Sequence, residues 1–464
     1  MNRLTDVIAA VSTPPGKGGV AIIRVCGDAA FEIAEKIFVP ISKKSISDYP
    51  SRTAIYGHII EDGEKIDDVL LTKFPAPHSY TGENTVEIGC HGGILVTRSV
   101  LEVLLRQGAR AADAGEFTRR AFINGKLTLT DAEAIGNLLE ARSREQIRLN
   151  SDTSRERLNE KIGNIRRGLV ELMSSIYARI DYPDEDLGDF DDNEVLSRLA
   201  KIKADTENLS NTYRTGRAIS EGIKTAIVGK PNVGKSTLYN ALVGKDAAIV
   251  TSIPGTTRDV LEESISLGKV MLRISDTAGL REYEGMDEVE RIGVKKSRKL
   301  IADCELLFAI FDVSRPFDDE DEAVIKEIST SSAAKIAILN KCDSENLFTE
   351  DTLSDYFDEV IKVSARKAES EMISSLTSLV ERLFTDEKII IGSDAIIASA
   401  RQHASLTRAI DLIDTAHNAL KLGFSQDAIS TDIERALGAI SELDGRAVSD
   451  EIVSNIFSKF CVGK

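Results

Sequence analysis

Residues 229–236 read GKPNVGKS. This stretch matches G-x-x-x-x-G-K-[ST], a loop whose backbone amides bind phosphate. An apolar run at 225–228 precedes it, and residues 237–242 follow with the pattern of a helix. In a strand–loop–helix unit, Lys235 can reach the β- and γ-phosphates and Ser236 can bind Mg²⁺. The sequence therefore predicts a P-loop domain, although the loop alone does not distinguish ATP from GTP.

Three later segments decide the base. An apolar run at 270–275 ends in DTAG at 276–279, where Asp276 belongs near the Mg²⁺ and Gly279 near the γ-phosphate. A second run at 336–339 ends in Asn340-Lys341-Cys342-Asp343, the N-K-x-D element, whose carboxylate accepts two N–H bonds from guanine. Adenine would leave that carboxylate unpaired. With VSAR at 363–366 matching the S-A-[KR] loop, the sequence predicts a GTP site.

Two details indicate the type of GTPase. Leu280 follows the DTAG segment, where Ras-like switches carry a Gln that orients water. Asn232 in the phosphate loop and the switch segment 248–259 resemble those of potassium-activated GTPases, in which K⁺ neutralises charge between the phosphates. Thr257 is then the switch threonine that reaches Mg²⁺ and the γ-phosphate. The alternative is that Asn232 only caps the turn.

Composition limits the other possibilities. At 464 residues the chain is long enough for about three domains. A net charge of −17 argues against general nucleic-acid binding, so any RNA contact must be a local basic patch. The five cysteines are scattered, which argues against zinc or a disulfide framework and predicts a reducing, cytoplasmic location. We find no signal peptide and no run of 18 apolar residues, which predicts no membrane span.

The pattern of apolar residues changes along the chain. Strand-like runs at 19–25, 69–74 and 85–88 predict an α+β domain over residues 1–120. Helical spacing predicts an all-α domain in two parts, residues 121–217 and 386–464. The α/β GTPase domain, residues 218–385, is expected to be inserted between them.

Two charged stretches need an interpretation. Residues 181–194 contain eight carboxylates but lack the spacing of a calcium loop, which favours a solvated connection between helices. Residues 142–167 contain eight basic against four acidic residues on helical sequence. This stretch is either a mixed-charge solvated helix or a patch that faces tRNA through Arg155, Arg157 and Arg166.

Four further motifs lie outside the GTPase segment, near the N-terminal and C-terminal ends of the sequence. They are TPPGKGG at 13–19, SYTGE at 79–83, HGG at 91–93 and FCVGK at 460–464. Together with the inserted GTPase arrangement, they resemble the MnmE (TrmE) family of tRNA-modifying GTPases. Lys17 and Val462 differ mildly from the family pattern, and residues 284–286 lengthen the second switch.

The resemblance implies a function. Family members are cytoplasmic homodimers whose N-terminal domains are folded like tetrahydrofolate-binding domains. They act with the flavoprotein MnmG, which carries FAD and uses NADH, so a heterotetramer is expected. The complex places an aminomethyl or carboxymethylaminomethyl group on C5 of the wobble uridine of tRNA. The carbon comes from methylene-tetrahydrofolate, the amine comes from ammonium or glycine, and K⁺-dependent GTP hydrolysis drives the conformational cycle.

It also implies residue roles. The catalytic residues would be Lys235, Thr257 and Glu290, with Glu290 positioning the water. Mg²⁺ would be held by Ser236, Thr257 and Asp276, and K⁺ by Asn232 with the carbonyls of Thr251, Ile253 and Thr256. The folate derivative, 5-formyl- or 5,10-methylene-tetrahydrofolate, would contact Arg24, Glu87, Lys126 and Lys464. The predicted GTP-binding residues are Asn232, Val233, Gly234, Lys235, Ser236, Thr237, Thr251, Ser252, Ile253, Pro254, Gly255, Thr256, Thr257, Asp276, Thr277, Ala278, Gly279, Asn340, Lys341, Asp343, Ser364, Ala365 and Arg366.

Two alternatives stay open. Cys461 is either a reactive thiol beside Lys464 or, as we prefer, a small buried side chain lining the folate site. The whole chain is either this enzyme or a regulatory GTPase that gates RNA or ribosome maturation. The folate-type pocket and the C-x-G-K end favour the enzyme.

Overall fold

A computed structural model describes residues 6–181, 191–245, 262–275, 301–364 and 369–463. The chain forms two compact units, Met1–Leu139 with Leu437–Lys464, and Glu140–Ala436. The C-terminal segment thus belongs to the same unit as the N-terminus. Within the described ranges, no helix combines the length and the apolar character that a membrane crossing requires.

The elements are numbered along the chain. The described strands are β1 Ile8–Val11, β2 Val20–Cys26, β3 Phe38–Pro40, β4 Ala54–Glu61, β5 Glu64–Phe74, β6 Thr85–His91, β7 Arg110–Ala111, β8 Ile223–Val228, β9 Glu262–Leu267, β10 Val270–Ser275, β11 Leu306–Asp312, β12 Ala334–Asn340 and β13 Glu359–Lys362. The described helices are α1 Ala30–Ile37, α2 Ile94–Arg106, α3 Glu116–Ile123, α4 Leu129–Glu140, α5 Arg144–Leu149, α6 Asp152–Asp181, α7 Asp192–Asn211, α8 Tyr213–Ser220, α9 Lys235–Lys245, α10 Asp319–Ile328, α11 Glu369–Phe384, α12 Ala400–Lys421, α13 Gln426–Asp444 and α14 Asp450–Ser458.

The first unit is built on a sheet with the strand order β3-β4-β5-β6-β2-β1-β7. Neighbouring strands are antiparallel except β1 and β7, which are parallel. Residues alternate between buried and partly exposed along β2 and β6, as expected of a sheet with one covered face. Helices α1 and α2 cover that face, with buried residues such as Ile33, Ala34, Val100 and Leu104.

The C-terminal segment completes this unit. Phe457 and Phe460 are buried with Leu129 of α4 in one apolar cluster. Val462 forms an antiparallel bridge with Ala114, and Ser12 Oγ donates to the Gly463 carbonyl oxygen at 2.9 Å. The last described residues therefore lie beside the end of β1.

The second unit contains a helical bundle and an α/β domain. Helices α6, α7 and α12 each bury an apolar stripe at helical spacing, for example Leu199 and Ile202 in α7 and Ile413 in α12. The α/β sheet has the strand order β13-β12-β11-β8-β10-β9, parallel except for β9. Apolar clusters cover both faces, so this is a doubly wound sheet.

The segments before β8 and after α11 are hydrogen-bonded to each other. The Asp386 amide donates to Thr215 Oγ1 at 2.9 Å, and the Ile397 amide donates to Thr212 Oγ1 at 3.1 Å. Thr212 and Thr215 precede β8, whereas Asp386 and Ile397 follow α11. The two connections are therefore tied together next to the bundle.

The structure confirms the predicted elements that lie in the described ranges. The strand-like runs correspond to β2, β5, β6, β8, β10 and β12. The helix predicted after the phosphate loop is α9, and the described part of residues 121–217 contains only helices and connections. The acidic run at 181–194 lies mostly outside the described residues.

Candidate functional site

The phosphate loop joins β8 to α9, and its backbone depends on left-handed residues. The φ angles of Gly229, Asn232 and Gly234 are 142°, 64° and 112°. A Cβ on Gly229 would lie 2.5 Å from the Ile310 carbonyl oxygen, and one on Gly234 would lie 2.2 Å from Asn340 Nδ2. The glycines thus let the loop close against the ends of β11 and β12. A tight loop at a helix N-terminus is a ready site for phosphate.

Lys235 begins α9 and folds back over this loop. Its Nζ donates to the carbonyl oxygens of Gly229 at 2.8 Å and Lys230 at 2.6 Å. Burial lowers the pKa of the Lys235 ammonium. Ser236 and Thr237 follow in the first turn of α9. The predicted phosphate ligands on the loop are thus gathered at one helix end.

The predicted base-binding segment lies at the adjacent strand end. Asn340 is buried, and its Nδ2 donates to the Val233 carbonyl oxygen at 2.8 Å, which ties the segment to the phosphate loop. Asp343 Oδ1 accepts from Ser364 Oγ at 2.8 Å. The Cys342 amide donates to the Val363 carbonyl oxygen at 3.3 Å. The structure therefore brings together parts of three separate predicted motifs.

Asp312, the last residue of β11, lies next to the N-K-C-D segment but belongs to none of the predicted motifs. It is buried, and its Oδ2 lies 2.5 Å from Lys341 Nζ. Its Oδ1 accepts from Ser314 Oγ at 2.6 Å and from the Ser314 amide at 3.1 Å. Burial raises the pKa of Asp312, but the bonds from Lys341 and Ser314 outweigh it and hold the pKa below its usual value. The feature of the sequence that could have identified Asp312 is an aspartate at the end of an apolar, strand-like run that precedes the N-K-x-D strand.

Other predicted residues lie outside the described ranges, so their positions stay predictions. In the switch and γ-phosphate segments and the S-A-[KR] loop they are Thr251, Ser252, Ile253, Pro254, Gly255, Thr256, Thr257, Asp276, Thr277, Ala278, Gly279, Glu290, Ala365 and Arg366, and at the C-terminus Lys464.

The first unit holds a second candidate site around Arg24 and Glu87. These residues are directly opposite each other on β2 and β6. Arg24 Nε and one terminal nitrogen both donate to Glu87 Oε1, at 3.0 and 2.8 Å. The side chains are 18% and 28% exposed, so the pair is accessible to a ligand. The sequence predicted both residues as folate contacts but did not predict that they pair with each other.

Two aromatic rings lie close to the Arg24 guanidinium. The Arg24 guanidinium lies 5.6 Å from the Tyr80 ring centroid and 5.5 Å from that of Phe117. Such distances allow a cation–π attraction. Lys126 Nζ donates to the Pro77 carbonyl oxygen at 3.2 Å, which places Lys126 beside the segment that leads to Tyr80. Tyr80 and Phe117 were not predicted, because they come from segments distant in sequence from β2.

A buried charge network lies under the 79–83 segment. We call Arg120, Glu83, Glu116 and Asp6 the Arg120 network. Arg120 is 1% exposed and contacts Asp6 at 2.7 Å, Glu116 at 3.0 Å and Glu83 at 3.1 Å. Asn124 Nδ2 adds bonds to Glu83 Oε1 at 3.0 Å and to the Thr81 carbonyl oxygen at 2.8 Å. Each buried charge has an opposite partner, so the network positions this segment.

The exposure of Cys461 differs from our preferred interpretation of that residue. Cys461 is exposed, so its interpretation as a small buried side chain was wrong. In this segment it is the side chain of Phe460, and not that of Cys461, that packs into the apolar cluster. Two thiols are buried, Cys26 and Cys90. Burial raises the pKa of both, that of Cys26 to about 12. Cys26 is therefore inert at neutral pH.

The basic helical stretch is α5 and the start of α6. Arg157 pairs with Glu160 at 3.3 Å, and Arg155 pairs with Asp152. Such pairs along one helix neutralise part of the charge and favour the mixed-charge interpretation. A role of Arg155, Arg157 and Arg166 toward tRNA stays a prediction.

Known proteins match both units. Residues 7–126 match the family described as GTP-binding protein TrmE N-terminus, and residues 129–461 match the MnmE helical domain. The tRNA modification GTPase MnmE of Clostridioides difficile is 36% identical over 463 residues, 99% of this chain and 100% of that protein. The MnmE of Thermotoga maritima is 39% identical over 464 residues, with 99% and 100% covered.

Among solved structures, the G domain of the Thermotoga maritima FeoB iron transporter is 22% identical. The match covers 34% of this chain and 98% of that one, with a TM-score of 0.24, which is too low to carry an argument. The full-length relatives confirm the resemblance predicted from the sequence. A helical-domain match over most of the chain, together with relatives of this identity along nearly its whole length, means that the chain belongs to the MnmE family of tRNA modification GTPases.

Proposed function

We propose that this chain is a GTP hydrolase that acts in tRNA modification. The observation that carries the proposal is the tie between the phosphate loop and the N-K-C-D segment, made by Asn340 Nδ2 and the Val233 carbonyl oxygen. It supports the proposal because it would fix the distance between a phosphate site and a guanine site on one sheet edge. The test is a titration with fluorescent GDP and ADP analogues. Equal affinity for both would refute a guanine site.

The hydrolysis is K⁺-activated in this proposal. Asn232, in its left-handed conformation at the tip of the loop, would hold the ion with the carbonyls of Thr251, Ile253 and Thr256. Mg²⁺ would be held by Ser236, Thr257 and Asp276, and Glu290 would position the water. Bound K⁺ supplies positive charge near the developing phosphate charge. The carboxamide and the loop carbonyls are suitable oxygen ligands for such an ion.

Steady-state hydrolysis rates in KCl and NaCl test this. We expect faster turnover in KCl and no difference between the salts for Asn232→Ala. The matched control is Asn164→Ala, an exposed position on α6, which should keep the K⁺ dependence. Equal rates of the unmodified protein in both salts would exclude K⁺ activation.

We further propose that the Arg24 and Glu87 pair binds a tetrahydrofolate derivative. A pterin carries an amide edge with both donor and acceptor atoms, so the guanidinium and the carboxylate can each find a partner on it. Lys126 and Lys464 would contact the rest of the ligand. Gly463 lies beside the end of β1, next to β2, which supports a role for the residue that follows it.

Binding of 5-formyl-tetrahydrofolate, followed by calorimetry, tests the pocket. Arg24→Ala and Glu87→Ala should abolish saturable binding. Arg98→Ala, which removes an arginine of an exposed ion pair on α2, is the control and should bind normally. If the unmodified protein shows no saturable binding, the folate assignment fails and the GTP assignment stands.

The full reaction in the proposal needs partners. A cytoplasmic homodimer would act with the flavoprotein MnmG, which brings FAD and NADH, on C5 of the wobble uridine. The folate would supply the one-carbon unit for the aminomethyl or carboxymethylaminomethyl group. Mass spectrometry of tRNA nucleosides from a deletion strain tests this. Unchanged wobble uridines would refute it and favour a regulatory GTPase.

The domain plan is also part of the proposal. We infer that residues 218–385 form a GTPase domain inserted between helical parts 121–217 and 386–464, and that residues 1–120 form a folate-binding-like domain. The adjacent connections at Thr215 and Asp386 support the insertion, because an inserted domain needs its two ends close together.

A further inference from the structure

We propose that Asp312 is a positioning residue that holds Lys341 across the phosphate loop, and thereby links the guanine end of the site to the loop conformation at Asn232. The inference rests on the proposed GTP function. It adds a residue that neither the sequence motifs nor the family matches assign.

The first observation is the arrangement of the carboxylate. Asp312 has a side chain that is only 4% exposed, and its two oxygens have different partners. Ser314 fixes Oδ1 through its hydroxyl and its amide, which leaves Oδ2 directed at Lys341 Nζ, 2.5 Å away. Arg315 Nε lies farther from the same oxygen, at 3.5 Å. The carboxylate is therefore held on both sides and aims at one ammonium.

The second observation is where the ammonium lies. Lys341 Nζ also contacts the carbonyl oxygen of Asn232 at 3.4 Å. Lys341 and Asn232 have φ angles of 65° and 64°, so both are non-glycine residues in the left-handed region. Such residues persist only where surrounding contacts hold them. The Lys341 ammonium, which Asp312 holds, contacts the backbone of Asn232. One ammonium therefore connects the two left-handed residues.

The third observation is the strand register. Asp312 and Asn340 are neighbours on β11 and β12, and the Val313 amide donates to the Asn340 carbonyl oxygen at 3.1 Å. Lys341 directly follows Asn340, whose amide group binds the phosphate loop at Val233. Asp312 therefore stands at the point where the base segment and the phosphate loop meet. Loss of its charge would release Lys341 without removing any predicted nucleotide ligand.

The test uses the full-length protein and the fluorescent nucleotide mant-GDP. Asp312→Asn keeps the shape of the side chain and removes its charge. We expect mant-GDP affinity to fall about tenfold, the order of magnitude of losing one charge-assisted bond. The control is Asp321→Asn, because Asp321 is also buried and pairs with a loop lysine, Lys230, at 2.7 Å, without contacting Lys341. It should keep affinity within about twofold.

A double-mutant cycle separates positioning from general stability. If Asp312 acts through Lys341, Asp312→Asn combined with Lys341→Met should bind no more weakly than Lys341→Met alone. Additive losses, or an affinity of Asp312→Asn equal to that of the unmodified protein, would overturn the inference. So would equal losses in Asp312→Asn and Asp321→Asn. Should Asp312→Asn fail to fold, undiminished affinity of Lys341→Met would overturn it.

The cycle also separates this inference from the proposed function. Failure of the unmodified protein to bind mant-GDP would refute the GTP assignment itself. Normal binding by the unmodified protein, with no effect of Asp312→Asn, would refute only the role of Asp312. A supporting readout is the K⁺ concentration for half-maximal hydrolysis, which should rise in Asp312→Asn and stay unchanged in Asp321→Asn.

Discussion

The candidate phosphate site is shaped mainly by the backbone of its loop, whereas the candidate site around Arg24 is shaped by charged side chains paired across two strands. The loop depends on Gly229 and Gly234, whose positive φ angles no larger residue adopts without strain. The site around Arg24 depends on Arg24 and Glu87, which neutralise each other, and on the Arg120 network, which positions the 79–83 segment. A backbone site is therefore sensitive to added atoms, and a side-chain site is sensitive to lost charges.

The largest expected effect concerns the Arg120 network. Arg120→Met should destabilise the first unit by about 3–5 kcal/mol, because it leaves the buried Glu83 carboxylate without its cationic partner and leaves Glu116 with Arg110 alone. Chemical denaturation followed by circular dichroism measures this. Arg98→Met, which breaks an exposed ion pair with Glu102, should leave the unfolding transition unchanged. Equal effects of the two variants would contradict the dependence on buried charge.

The next effect tests the backbone site. Gly234→Ala should cost about 1–3 kcal/mol of stability and greatly weaken nucleotide binding, because the new methyl group meets Asn340 Nδ2 at a φ of 112°. Thermal melting and a mant-GDP titration measure both. Gly244→Ala in α9 is the matched control, because its Cβ meets nothing within 4 Å. That variant should be as stable as the parent or slightly more stable. A tolerated Gly234→Ala would remove the contrast between the two sites.

The stability of the folded state is expected to depend on pH through Glu116, a member of the Arg120 network. Burial raises the pKa of Glu116, but bonds from Arg110, the Asp113 amide and Arg120 outweigh it and hold the pKa below the ordinary value of 4.5. The ionised group therefore stabilises the folded state above about pH 4.5, and this contribution is lost as the pH falls through the lowered pKa.

The matching variant is Glu116→Gln. It should cost about 1–3 kcal/mol at pH 7 and distinctly less at pH 3.5, because below about pH 4.5 the unfolded parent takes up a proton at this carboxyl and the stabilising contribution shrinks. Urea unfolding at the two pH values measures the difference. Glu102→Gln, on the exposed surface, should show the same small effect at both. A cost for Glu116→Gln that does not change with pH would show that charge is not the cause.

The smallest expected effect lies at the base segment. Ser364→Ala removes the 2.8 Å bond to Asp343 Oδ1 and leaves that carboxylate less well oriented. Because the pair is exposed, mant-GDP affinity should fall only about two- to tenfold. Ser378→Ala, which removes an exposed hydroxyl bonded within α11, should bind like the parent. A loss comparable to that of Gly234→Ala would mean that side chains matter as much here as backbone.

The two sites also differ in how far sequence reasoning reached. The phosphate loop and the N-K-C-D segment were predictable because each is contiguous and follows an apolar strand, so local chemistry identifies it. Asp312 was not found, since its role depends on the register between β11 and β12. In the first unit the strands β2, β5 and β6 were predicted from apolar patterns, but the pairing of Arg24 with Glu87 was not. The exposure of Cys461 was predicted wrongly because burial depends on which neighbour, here Phe460, reaches the core.

The strand–loop–helix unit, the glycines at its left-handed positions and the candidate base-binding segment can all be recognised in the amino-acid sequence. These follow from the conformational limits of individual residues and from short-range spacing. Three contacts depend on the folded chain: Lys341 lies over Asn232, Tyr80 and Phe117 lie beside Arg24, and the C-terminal segment returns to β1. Those contacts join residues far apart in the chain, and their positions are set by strand register and by close packing of the core, which no local pattern encodes.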